Sequence, residues 1–315
     1  MKDRLWLALS NVNGLGIKKL LSLYEKYPTL TVHELSALPE SEILNVVRSK
    51  EVVKQLADYD AMAAMEEQAQ QLIEIHTKQG IEVVTYLNDN YPSLLKLIPD
   101  PPVTLYCKGY LDALDYMKKI AIVGTRKATD KGLKVAEKIA SQFAEMGYII
   151  VSGLATGIDS AGHIGALNVR GITIGVLAGG IDHIYPKENI GLAESILMNY
   201  GLLVSEYPIG TKMHRKSFVK RYRIQSGLSL GVCAVQTDVE GGTMHTVRYT
   251  ELQNRVLICP KPLESVELPV YRGIQKLLVE QRAELLESTM DYNRLDQLMK
   301  SNILNKYPHL MNRNN

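Results

Sequence analysis

The chain has 315 residues, 46% apolar content, a formal net charge of +2 and three cysteines, the composition of an ordinary soluble protein able to bury one large core with smaller attachments. Near-neutral charge excludes a whole-surface attraction to polyanions, so any nucleic-acid role must rest on a local patch. No apolar run approaches the length of a membrane span, and Cys107, Cys233 and Cys259 lie far apart without C-x-x-C or paired-histidine spacing, so buried free thiols, no metal and a cytoplasmic location are expected.

Residues 1–80 are helical by period. Leu5, Leu9, Leu20, Leu21 and Leu23 flank the turn Asn11-Val12-Asn13-Gly14-Leu15-Gly16, which leads into Ile17-Lys18-Lys19-Leu20. A helix, a glycine bend and a lysine-bearing helix start resemble a helix-hairpin-helix or SAM-like element; the bend reads either as a tight connection or as a donor of main-chain N–H groups to a DNA phosphate. Residues 50–80 read as one longer polar helix, with Met62, Met65, Leu72 and Ile75 inward and Gly80 ending it. Residues 81–86 read as the first strand of the main domain. Asp100-Pro101-Pro102 then precedes a short strand ending at Gly109. The expected division is a helical domain over 1–80, a core over 81–288 and a short tail over 289–315.

Residues 119–165 organise the core. Residues 120–123 are an apolar run too short for a helix, broken by Gly124; Val135, Ile139, Phe143 and Met146 then share a helical face, and Gly147 stands at the expected stop. Residues 149–151 form a second strand, entering Ser152-Gly153-Leu154-Ala155-Thr156-Gly157 and another helix. In such a βαβ unit both glycine turns lie at the carboxyl edge, where a following helix aims unpaired N–H groups at an anion. Gly124 and Gly153 permit close main-chain approach, and Thr125, Arg126, Ser152 and Thr156 supply donors; the plainer reading is that strand-to-helix turns need small residues in any case. The pattern is neither G-x-G-x-x-G nor G-x-x-x-x-G-K-[ST], which disfavours an ordinary dinucleotide site and a Walker ATPase. Asp159 and His163, four apart on the second helix, read as an acid/base pair or as braces for neighbouring loops.

Alternation continues, with strands at 173–177, 201–205, 230–236 and, read as the last, 255–259. This predicts an α/β fold with a largely parallel sheet covered on both faces. One dense basic run, residues 213–223, brings Arg215, Lys216, Lys220, Arg221 and Arg223 together with His214, Phe218 and Tyr222. Cations neutralise phosphates and rings stack on bases, the combination that suits single-stranded nucleic acid; the plainer reading is a solvated surface helix. Gly241-Gly242-Thr243 is a third small turn opening a helix, read as an anion site or simply a loop. Asp182, His183 and Glu188 show no spacing that establishes a metal site.

From Tyr91 to Pro260 the chain resembles the DNA-processing protein A (DprA/Smf) family. The resemblance is carried by VGTR at 123–126, SGLATGIDSAGH at 152–163, GGIDHIYPKEN at 179–189, LLVSEYP at 202–208 and FVKRYRIQSGLS at 218–229. It implies a Rossmann-like, doubly wound, largely parallel sheet behind an N-terminal helical, SAM-like domain. It implies also a non-enzymatic, cofactor-free homodimer that binds single-stranded DNA and loads the RecA recombinase in natural transformation, away from membranes. By the same resemblance Arg126 and Lys187 line a basic pocket with Arg221 and Arg223 beside it. Tyr222 stands where the family usually has Asn, and the glycine turn at 241–247 departs from the family's pattern. The rival reading is a nucleotide-processing enzyme, such as a nucleoside-monophosphate phosphoribohydrolase, holding phosphate at Gly241-Gly242-Thr243; the first acid beyond that turn is Glu251. A nucleotide-sensing module is the third.

Overall fold

The computed structural model describes residues 2–264 and 268–313; Asn314 and Asn315, the end of the expected tail, lie outside the described residues. Contacts divide the chain into two units, residues 1–91 with 100–106, and residues 92–99 with 107–315.

The first unit is built from α1 (Asp3–Ser10), α2 (Ile17–Lys26), α3 (Val32–Ala37), α4 (Glu40–Val47), α5 (Lys50–Ala57), α6 (Tyr59–Thr77) and the strand β1 (Glu82–Thr85). Trp6 is fully buried among Leu5, Leu9, Leu20, Leu23, Leu35 and Leu56. Its indole Nε1 donates to the Val103 carbonyl at 2.8 Å, and its ring stacks on Tyr86 at 5.9 Å, so β1 and its flank close the helical core. The expected single helix over 50–80 is two helices. Asp58 accepts from the Ala61 N–H at 3.0 Å and starts a new helix there. At the end of α6 the buried face running through Met62 and Ala69 reaches His76, and Ile75, one position off it, is half exposed. In the bend between α1 and α2, Lys19 Nζ donates to the Gly14 carbonyl at 3.0 Å.

The strand β2 (Thr104–Gly109) begins in the first unit and ends in the second. The second unit continues with α7 (Ser93–Lys96), β3 (Lys119–Val123), α8 (Asp130–Glu145), β4 (Ile149–Ser152), α9 (Ile158–Asn168), β5 (Thr173–Leu177) and α10 (Ile190–Met198). It is completed by β6 (Leu202–Ser205), α11 (Arg215–Gly227), β7 (Gly231–Ala234), α12 (Thr243–Leu252), β8 (Val256–Pro260), α13 (Pro269–Val279), β9 (Glu284–Leu286) and α14 (Asp291–Leu304). The strands β3 to β9 lie in the order β6-β5-β4-β3-β7-β8-β9, every neighbouring pair parallel. The strands from β3 to β8 are buried along their whole length, as apolar strands between two layers of helix must be. This is the largely parallel sheet covered on both faces expected from the alternation, in the Rossmann-like, doubly wound form that the family resemblance implies.

One expectation fails: residues 255–259 are not the last strand. The strand β9 adds beyond β8, pairing Ile258 with Glu284 and Pro260 with Leu286. Three residues, one of them Glu, are too few to display any period. The order places a reversal between β3 and β7, because the chain winds outward from β3 through β4, β5 and β6 and then returns to the other side of β3. At such a switch point the loops leaving the two strands diverge and open a crevice at their carboxyl ends.

Candidate nucleic-acid interface

The crevice is occupied by a cleft of about 480 Å³. Its walls are the turn after β3 (Gly124, Thr125, Arg126, Lys127), the turn after β7 with the start of α12 (Thr237, Asp238, Gly241, Gly242, Thr243, Thr246), and the inward side of α11 (Arg221, Tyr222, Gln225). The first turn is tied down by main-chain bonds: Thr125 N–H donates to the Gln236 carbonyl at 2.8 Å and Thr125 O accepts from Ile158 N–H at 3.2 Å. Gly124 must be glycine, since a Cβ there meets Ile158 Cγ1 at 2.5 Å. Gly153 carries the same constraint for a different reason: its Cβ would meet Asp159 Oδ2 at 2.5 Å and Arg221 Nη2 at 2.8 Å.

Behind the cleft lies a buried ion pair. Arg221 Nη2 stands 3.8 Å from Asp159 Oδ2, both almost wholly buried, and Arg221 Nη1 donates to the Gly153 carbonyl at 3.2 Å. Burial pushes the Asp159 carboxyl up to about 6, against the opposing pull of Arg221, the Ala155 N–H, Arg126 and the Gly124 N–H. His163 partners other groups: its Nδ1 lies 2.7 Å from Thr173 Oγ1, and burial pushes it down to about 3. Asp159 and His163 are thus separate braces, one for the arginine and one for β5, and the acid/base pair does not form. Asp182 pairs with His183 at 2.8 Å and accepts from Gly210 N–H at 2.9 Å.

The basic run forms α11, opened by a capping box in which His214 Nδ1 accepts from Ser217 N–H and Ser217 Oγ accepts from His214 N–H. The helix sorts its cations. Arg215, Lys216 and Lys220 are exposed and outside the cleft; Arg221 and Arg223 turn inward. Arg223 Nη2 meets Glu206 Oε1 at 2.5 Å, and so is committed to the EYP turn. Phe218 is half-buried, with Arg126 Cζ 5.5 Å and Arg221 Cζ 5.6 Å from its ring centre and Tyr185 edge-on at 5.7 Å. A smaller cavity of about 50 Å³ is lined by Arg126, Thr156, Tyr185, Pro186, Phe218 and Arg221, so the loop before Lys187 adjoins the cleft. Asn189 holds that loop by donating to Leu154 O at 2.8 Å and Ser160 Oγ at 2.9 Å.

The structure therefore brings Gly124, Thr125, Arg126, Arg221, Tyr222, Gly241, Gly242 and Thr243 onto one cleft, and joins Thr156 and Phe218 to it through the adjacent cavity. Lys187 is exposed and lines neither space. Ser152 and Gly153 serve the interior: Ser152 Oγ donates to the Ile122 carbonyl at 2.6 Å, and Gly153 offers its carbonyl to Arg221. Sequence reading missed Lys127, Tyr185, Gln225 and Thr246. For Gln225 the signal was present, four residues after Arg221 and hence on the same helical face. Glu251, the acid required by the phosphoribohydrolase reading, is outside the cleft lining and paired in two bonds with Arg282, at 2.8 and 3.1 Å.

A parallel sheet with a cation-lined cleft at its switch point, fronted by a glycine turn and a helix start, defines a protein of the Rossmann-like class. Residues 82–295 match the family described as DNA recombination-mediator protein A, and the chain belongs to that family. It is 39% identical over 217 residues to the DNA processing protein DprA of Bacillus subtilis, covering 69% of this chain and 71% of that one. It is 34% identical over 311 residues to Protein Smf of Synechocystis, covering 95% and 75%. Among solved structures, DNA processing protein A from Streptococcus pneumoniae superposes with a TM-score of 0.70 at 28% identity, covering 91% of this chain and 94% of that one. The protein of that name from Helicobacter pylori, whose structure describes a single-stranded DNA binding mode, superposes at 0.61 with 29% identity, covering 70% and 96%.

Proposed function

We propose that this chain is a single-stranded DNA-binding recombination mediator that catalyses no covalent step. The observation that carries the reading is the convergence of Arg126 and Arg221 on the ring of Phe218, at 5.5 and 5.6 Å, beside the start of α12 at the switch point. Cations and a ring in one place give a strand both phosphate neutralisation and a stacking platform without reading base edges. Arg215, Lys216, Lys220 and Lys187 extend the cationic field outward from the cleft, and Arg223 acts by fixing α11 to the Glu206 turn. Membership of the family and the relative from Helicobacter pylori whose single-stranded DNA binding mode is described support the same reading. On the same grounds we assign a homodimer in the cytoplasm that hands the strand to a RecA-type recombinase in natural transformation. No described helix is long and apolar enough to cross a membrane.

The test is a titration of fluorescent oligothymidine at several salt concentrations. Arg126→Ala with Lys187→Ala weakens binding and lowers the salt slope by about 1.4, at roughly 0.7 per lost single-strand phosphate contact. A folded double variant with wild-type affinity and slope sinks the proposal.

A further inference from the structure

The cleft holds more polar machinery than a phosphate backbone passing over its rim can use. Gln225 is wholly buried, forms part of the lining, and among the described residues neither its Nε2 nor its Oε1 has a hydrogen-bond partner. Thr246 Oγ1 and Arg221 Nε are likewise unpartnered and buried, on residues lining the same cleft. A buried donor or acceptor left unsatisfied costs on the order of 1–3 kcal/mol, so four such atoms around one cavity mark a place where a polar ligand completes the structure. The mouth differs in character from this floor: Arg126 is exposed beside the first residues of α12, a ten-residue helix whose amino end carries the positive pole of its dipole. Tyr222 provides an aromatic wall, its ring parallel to His245 at 6.2 Å. A volume of about 480 Å³ accommodates one nucleotide and not a folded chain segment.

We propose that this cleft takes a single nucleoside 5′-phosphomonoester, with the phosphate at the α12 start beside Arg126 and the base reaching inward to the Gln225 carboxamide. The proposal rests on the reading of this rim as a DNA site and specifies what fills its floor. Every nucleobase carries an adjacent donor and acceptor on its pairing edge, and a carboxamide turns to match either order. Gln225 thus selects a base over a sugar or a bare anion, and does not select among bases. The same chemistry reaches the cleft from two sources, a free nucleotide or the 5′-phosphorylated end of a strand.

Calorimetric titration of the full chain with thymidine 5′-monophosphate, thymidine, deoxyribose 5-phosphate and inorganic phosphate reads the site. One monophosphate per chain is expected, at least tenfold tighter than any fragment; inorganic phosphate binding as well as the nucleotide overturns the proposal. Gln225→Leu, and Thr246→Val should the first variant unfold, weaken the monophosphate about tenfold. Unchanged monophosphate affinity in a folded variant overturns it. Competition against oligothymidines of equal length then separates the sources. Displacement of only the 5′-phosphorylated strand makes strand ends the occupant, and displacement of neither makes it the free nucleotide. Displacement of both alike puts the monophosphate on the DNA path instead of the floor and overturns the proposal. Absence of monophosphate binding beside intact oligonucleotide binding removes this inference alone, whereas loss of oligonucleotide binding beside retained monophosphate binding removes the DNA reading alone.

Discussion

Phe218 separates two ways in which the interface could grip a strand. Its ring carries Arg126 and Arg221 at 5.5 and 5.6 Å, and as a half-buried face it is the aromatic surface nearest both cations. Phe218→Leu retains apolar bulk while removing the π face. If a base stacks there, the loss is about 1–3 kcal/mol, a 5- to 150-fold weakening. Freeing the exposed Arg126 from the ring adds about 0.5–1 kcal/mol at most. Phe218 bears no charge, so the number of phosphates neutralised stays constant and the slope of log K against log salt is unchanged. Arg126→Ala provides the contrast: its slope falls by about 0.7. Fluorescence anisotropy over a salt series measures both quantities on the same samples. Wild-type affinity in Phe218→Leu shows that no base stacks on the ring. A slope that falls as in Arg126→Ala refutes the reasoning differently, by showing that the ring serves only to position the guanidinium.

Three further outcomes follow from the core of the second unit. Lys119 is buried with its Nζ donating to Leu114 O at 2.7 Å and to Tyr116 O, and burial pushes it down to about 7 from an ordinary value of 10.5. A base with a depressed folded value stabilises fully above pH 10.5 and loses that contribution as pH falls through 7. Relative to Lys119→Met, wild-type stability should therefore rise between pH 7 and 10.5, by up to about 1.4 kcal/mol per unit, in parallel denaturant titrations; parallel profiles would contradict this. Gly124→Ala drives a Cβ to 2.5–2.8 Å from three Ile158 side-chain atoms, and overpacking of about 1–3 kcal/mol should lower the melting temperature by roughly 2–12 °C. All three thiols are buried, and burial pushes Cys259 up to about 12 and Cys233 well above its ordinary value, so a thiol reagent at pH 8 should label none before denaturation and three after it.

The parallel sheet was legible because its strands are buried on both faces and so appear as unbroken apolar runs ending in glycine, each followed by a helix. The strand β9 was not, since a three-residue edge strand reading Glu-Leu-Leu carries no such run. The break at Asp58 was missed for a related reason: apolar spacing continues across it, and only the cap bond to Ala61 shows the restart. At the site, the glycine turns lead to the cleft lining at Gly124, Gly241 and Gly242, and close packing explains the glycine at Gly124 and Gly241. The same turns misled for Ser152, because a serine whose hydroxyl bonds the neighbouring strand is spelled the same way as one that faces a ligand.

The basic run presents the harder case, and it shows where local reasoning stops. Helical spacing assigns an inward face by its apolar residues, yet the buried stripe of α11 at Ser217, Arg221 and Gln225 is polar at every step. Five cations without an acid among them read as a solvated or ligand-facing surface; the acids that claim two of them, Asp159 and Glu206, arrive from α9 and from the turn after β6. A stripe of this kind weakens the fold that contains it, because each polar group must be matched after being taken out of water, and Gln225 is not matched. An apolar helix would seat against the sheet at lower cost. That the costly arrangement lies at the sheet's switch point, in a cleft walled by two separate turns and α11 itself, is the physical reason to place function there: the groups left wanting by the fold are those a ligand would satisfy.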